Sequence, residues 1–118
     1  MSYVDGFVAA VPRAGKEAYV DFARRAWALF RAHGALRNVE AWEDDVPDGE
    51  KTSFPIAVQR GADEVVVFSW IEWPDRATRD ACFARMQDDP EFAALGDMPM
   101  DGSRMIFGGF VPVLDERA

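Results

Sequence analysis

Apolar positions along the chain follow two rhythms, and each change of rhythm marks the boundary of an element. From Tyr3 to Val11 β-branched and aromatic residues dominate, and Pro12 closes the run, which predicts a first strand. Tyr19, Phe22, Ala23, Ala26, Trp27 and Phe30 then fall at steps of three and four. That spacing makes one stripe of a helix, with Asp21, Arg24, Arg25 and Arg31 off the stripe. Gly15 stands where the helix is capped, and Gly34 where a left-handed residue ends it.

Leu36 to Trp42 predicts a second strand, and Asp44 to Gly49 a turn built on Pro47 and Gly49. Thr52 to Arg60 fits two descriptions. Either Ser53 caps a short helix with Pro55 in its first turn, or Ile56 to Val58 is extended; the helix is preferred. Glu64 to Trp73 predicts a third strand, stopped by Pro74. Asp75 then caps a second helix reaching about Asp89, where the pre-proline position interrupts it. Glu91 to Leu95 adds one turn before Gly96. Arg104 to Val113 predicts a fourth strand, in which Gly108 and Gly109 mark a bulge or a close backbone approach.

Strand, helix, strand, strand, helix, strand is the β-α-β-β-α-β order of an α+β, ferredoxin-like fold. Both long helices then lie on one face of an antiparallel sheet, and no repeat or linker divides residues 1–118, so one domain is expected. A sheet covered on one face should alternate apolar with polar. The third strand does not: Val66, Phe68 and Trp70 oppose Val65, Val67, Ile71 and Trp73. The first strand sets Val4 and Val8 against Tyr3, Phe7 and Val11, and the fourth sets Ile106 and Phe110 against Met105, Phe107 and Val111. Two helices cover one face only, and a bare second face would exceed the apolar patch usual for a monomer. A second copy related by a two-fold axis is the simplest cover, so a homodimer is expected.

Composition narrows the partners. With 49% hydrophobic residues the chain is globular, and its net charge of −8, without a Lys/Arg cluster, argues against nucleic acid. No apolar run approaches the ~18 residues that span a bilayer, and the first residues lack the pattern of a signal peptide. The single cysteine, Cys82, cannot form an internal disulfide. A cytoplasmic protein without membrane attachment is expected.

Polar residues inside apolar strands are the candidates for chemistry, because a buried charge is costly unless paired. Asp5, Glu40 and Arg104 are the catalytic candidates, with Ser69 and Glu72 beside them in the third strand. A sheet order of four-one-three-two would bring Arg104 to Asp5, either as a structural ion pair or around a carboxylate serving as general base. Trp42, Ser69 and Trp70 are expected to line a ligand cleft, with Met98 and Met100 as an adaptable cover.

Other groups carry less. His33, alone, suits the C-terminal end of the first helix rather than a metal site, and Cys82 among apolar neighbours is a packing residue. Laid on a calcium loop from Asp44, the acidic turn places Val46 and Pro55 where oxygen ligands belong. No glycine pattern opens a helix to hold a dinucleotide, and no cofactor is implied.

The strings YVDGFVAAVP (Tyr3–Pro12), GALRNVEAW (Gly34–Trp42) and DDVPDG (Asp44–Gly49) are long and specific. With VVFSWIEWP (Val66–Pro74) and MPMDGSRMIFGGF (Met98–Phe110), the chain resembles the DUF1428 family over nearly its whole length. The resemblance implies membership of the dimeric α/β-barrel superfamily, which includes cofactor-independent monooxygenases, haem-handling enzymes and lactone isomerases. Where family members often read Glu-Cys-Trp, this chain has Glu40-Ala41-Trp42, which removes thiol chemistry there. The expected function is binding of a small hydrophobic or aromatic molecule, as a cofactor-independent enzyme; the alternative is a non-catalytic dimeric interaction module.

Overall fold

The computed structural model describes residues 2–118. Strand β1 (Tyr3–Pro12) lies inside the sheet, paired antiparallel with β3 (Glu64–Trp73) from Tyr3 opposite Trp73 to Pro12 opposite Glu64. Its other side takes β4 (Ile106–Phe110), and β2 (Arg37–Trp42) pairs with the far edge of β3. The order is β2-β3-β1-β4, the expected four-one-three-two, and the architecture is α+β. The crossover through helix α1 (Lys16–Ala32) leaves a gap between β1 and β2 that β3 fills.

Helix α1 begins after a 3-10 turn at Arg13–Gly15, with Gly15 at the N-cap, and ends on His33. Gly34 takes φ +101°, its N–H donates to the Arg31 carbonyl, and the Ala35 N–H donates to Phe30. That pair of bonds is a Schellman ending, and Ala35 packs into the same cluster as Phe30. The preferred description of Thr52–Arg60 is the one found. Helix α2 (Phe54–Ala57) forms because Ser53 Oγ accepts from the Ile56 N–H at 3.1 Å and Pro55 sits in the first turn. Asp75 likewise caps α3 (Arg76–Met86), and Asp89 caps α4 (Pro90–Ala93).

The fourth strand is shorter than its apolar run. Asp101 accepts from the Ser103 N–H and hydroxyl, holding Gly102–Arg104 in a 3-10 turn, so pairing starts at Ile106. After Phe110 the chain leaves the sheet, and Pro112 has no N–H to extend the ladder. The β1–β4 register runs unbroken from Val4–Phe110 to Val8–Ile106, so there is no bulge at the glycines. The close approach is real: a Cβ on Gly109 would collide with the Tyr3 ring and hydroxyl.

Register fixes what each face carries. Toward the long helices, Tyr3, Ile71 and Trp73 pack with Ala35, Cys82 and Phe92, and Ala9, Val11, Val65 and Val67 pack with Tyr19. The opposite face is covered at one end by α2, whose cap Val58 is buried with Val8, Ala10 and Val66. Beyond that end it is open. Phe54, Phe68 and Trp70 form a row of rings there, with centroids 5.9 and 5.8 Å apart, and Phe110 leans over Gly6 and Gly108. A groove of about 1130 Å³ runs along this face, bounded by Val4, Phe68, Trp70, Ile106, Phe110 and the chain after residue 111.

Candidate functional site

Alternation along β2 turns Asn38, Glu40 and Trp42 toward α1, and the first turn of α1 brings Tyr19 over them. The Tyr19 hydroxyl donates to Glu40 Oε1 at 2.5 Å, and Asn38 Nδ2 donates to Oε2 at 3.0 Å. Asn38 also donates to the Trp70 backbone carbonyl at 3.1 Å, which ties the carboxylate's orientation to β3. Ser69, buried, stands opposite Glu40 in the register. Trp42 lies at a tilt to Tyr19, ring centroids 6.4 Å apart, with Lys16 Nζ 5.6 Å from the centre of its ring. Met100 and Met105 pack against the same cluster.

Electrostatics here favour a neutral phenol. Burial pushes the Tyr19 hydroxyl well above the usual tyrosine range, the Glu40 charge and hydrogen bond push further, and a bond with Ser69 offsets part of it. Tyr19 is therefore a fixed proton donor, while the half-buried Glu40 carboxylate is an acceptor held from two sides. Donor, acceptor, indole and thioether thus converge at one end of the helix side of the sheet.

Of the residues singled out in the sequence, Glu40, Trp42, Ser69 and Met100 meet here. The others lie elsewhere. Asp5 is on the same face but at its other end and 2% exposed. Its partner is not Arg104 but Arg79 of α3, whose Nε and Nη2 reach it at 3.1 and 2.8 Å, while Trp73 Nε1 donates at 2.9 Å. The Arg79 guanidinium is sandwiched between Tyr3 and Phe83, 5.2 and 4.5 Å from their ring centres. Asp5 is a sealed structural carboxylate, not one a ligand reaches. Trp70 sits on the opposite face from Trp42, its indole N–H donating to Glu72, so the two do not share a cleft. Met98 is exposed beside Gly102.

Arg104, in the 3-10 turn, grips Glu64 through Nη1 and Nη2 at 2.8 and 2.7 Å and Asp101 through Nε at 3.0 Å. Hydrogen bonds from Arg104, then from the Gly61 N–H, hold Glu64 down to about 2 from the ordinary 4.5. A depressed carboxylate stabilises the fold above its unfolded value and loses that contribution as pH falls through the folded one. The Arg104→Ala variant should therefore lose less stability than the parent between pH 4.5 and 2, measured by urea unfolding across that window. Parallel pH dependences would contradict the assignment.

Tyr19, Asn38 and Arg79 were not visible as site residues. Tyr19 counted as one more apolar position on the helical stripe, although it alone there carries a hydroxyl. Elsewhere, the Glu43 carboxylate of the acidic turn is occupied by Arg60 at 2.7 Å and by the Val66 N–H at 2.7 Å. Burial, with the nearby Asp5 charge, pushes the Cys82 thiol up to about 11, which keeps it protonated. His33 is the C-cap of α1, stacked on Phe92. Among the described residues, no group of three or more His, Cys, Asp or Glu is placed to hold a metal, and no helix is long and apolar enough to cross a membrane.

Residues 2–102 match the family described as protein of unknown function DUF1428. The chain belongs to the DUF1428 family. A DUF1428-sized relative, uncharacterized protein YbaA of Escherichia coli strain K12, is 52% identical over 117 residues, covering 98% of this chain and 100% of its own. Among solved structures, a dimeric ferredoxin-like protein from an uncultured marine organism superposes with TM-score 0.59 at 13% identity, over 98% of each chain. SnoaB, a cofactor-independent oxygenase from Streptomyces nogalater, gives TM-score 0.52 at 20% identity, over 97% of this chain and 93% of its own. At those identities the likeness is one of fold, and the DUF1428 fold is ferredoxin-like.

Proposed function

We propose that this DUF1428 protein is a homodimer joined through its open sheet faces, each copy binding a small hydroxylated aromatic molecule between β2 and α1. The observation that carries the binding reading is the Tyr19–Glu40–Asn38 arrangement: a carboxylate fixed by two donors, beside Trp42, on an apolar surface. An aromatic ring would stack on the indole, and its hydroxyl would donate to the Glu40 carboxylate, whose orientation Tyr19 and Asn38 hold. A hydroxyl so placed is aligned to pass its proton to the carboxylate, the kind of step available to an enzyme working without a cofactor. A cofactor-independent oxygenase among the fold neighbours is compatible with that reading.

The dimer reading is supported by the open face, where Phe68 and Phe110 are 44% and 61% exposed, and by a fold neighbour that is itself dimeric. Naphthol and naphthalene separate the polar contribution from the apolar one. Naphthol is expected to shift the NMR signals of Tyr19 and Trp42 and to bind more tightly than naphthalene. Glu40→Gln should weaken naphthol binding by about 10-fold or more, the effect of losing a charge-assisted hydrogen bond. Equal affinity for the two probes, or an unchanged Glu40→Gln variant, would overturn the binding site.

A further inference from the structure

Lys16 is the first residue of α1 and stands one turn before Tyr19, so the two side chains share a face of the helix. Its Nζ lies 5.6 Å from the centre of the Trp42 ring. A cation in a first turn opposes the helix dipole, so the charge of Lys16 does not serve α1 itself. Among the described residues no carboxylate lies within 4.0 Å of it, although acidic residues outnumber basic ones by 21 to 13. The acids nearby in sequence are engaged or turned elsewhere. Glu43 is held by Arg60, and Asp44 and Asp45 border a hollow against Phe54 and Phe68 on the open side. Adjacent helical positions do not face one another, which takes Glu17 off this side.

We infer that Lys16 sets the ligand class of this site: a hydroxylated aromatic that also bears an ionised acid group, its hydroxyl on Glu40 and its acid group on Lys16. This rests on the binding reading above and adds a second anchor to it. Along the helix Tyr19 stands over Glu40 and Lys16 over Trp42. The carboxylate and the cation are thus set apart by one helical turn and by two residues of β2, about 6–7 Å along the strand. A fused pair of aromatic rings spans that interval, with its hydroxyl at one end and its acid group at the other. The reverse orientation would set the acid group against the Glu40 carboxylate, and like charges repel. A ring stacking on that side of the indole meets the ammonium, whose flexible four-carbon stem lets it move to the ring's edge.

The test uses the full chain and isothermal titration calorimetry with 6-hydroxy-2-naphthoate and its methyl ester, which share rings and hydroxyl and differ in charge. The parent should bind the acid about 5-fold tighter than the ester, the scale of one solvent-exposed ion pair, and added salt should bring the two toward parity. Lys16→Met, which keeps most of the aliphatic stem, should abolish the preference for the acid, and Lys16→Arg should retain it. Lys16 is exposed, so far-UV circular dichroism of both variants should match the parent. An ester that binds as tightly as the acid in the parent, or a preference that survives in Lys16→Met, would overturn the role of Lys16 while the site stands. If the ester too fails to bind, the site is overturned and the role of Lys16 with it.

Discussion

Arg79→Met should destabilise the fold by about 3–5 kcal/mol, because it leaves the Asp5 carboxylate buried without its cation. Asp5 is 2% exposed, and Arg79 supplies both oxygens with N–H donors, leaving only the Trp73 indole if it is removed. The packing change is modest by comparison, since methionine keeps much of the aliphatic stem lying against Tyr3 and Phe83. Urea unfolding read by tryptophan fluorescence gives the number, and a loss below 1 kcal/mol would show that water or another donor relieves the charge. Replacing both partners, Asp5→Leu with Arg79→Met, should recover a large part of the loss, as paired removal of buried ions does. The asymmetry between single and double variants separates a buried ion pair from a mere packing contact.

Phe68→Asp should weaken self-association on the order of 1000-fold, since it sets a carboxylate at the centre of an apolar face that has to be dehydrated. Phe68 lies between Phe54 and Trp70 in the row of rings, and its half-exposed side chain contributes little to the core of its own copy. The variant should therefore stay folded while sedimenting as a single chain. Retention of the parent's dissociation constant would move the interface off this face. The two variants act on opposite sides of one sheet: Asp5 and Arg79 lock the helix side, and Phe68 belongs to the open side.

Much of the fold follows from local pattern. Glu64–Trp73 is bounded by the residues its apolar run gives, Gly34 turns left-handed where the helical stripe stops, and Ser53 caps the short helix over Phe54–Ala57. The doubly apolar strands also announced a face the long helices leave uncovered. What local pattern does not hold is register and long-range side-chain choice. Trp42 and Trp70 looked like one cleft, but Glu40 pairs with Ser69, and that parity sends the two indoles to opposite faces. Arg104 looked like the partner of Asp5 on an adjacent strand. Asp101 instead draws it into a turn toward Glu64, and Arg79, far along the chain on α3, takes its place. The Tyr19 hydroxyl reaches Glu40 only because α1 lies over β2, a contact across 21 residues that local pattern does not hold, whereas Asn38 shares the strand face of Glu40 two residues away.

The sheet thus has two distinct sides, a helix side that holds Tyr19 and Glu40 and an open side that bears Phe68 and Phe110, and the proposed dimer uses the open one. Sedimentation equilibrium of the unmodified chain at micromolar concentration tests that dimer most directly. The expected mass is twice the 13.2 kDa of one chain. A mass of 13.2 kDa throughout that range would contradict it.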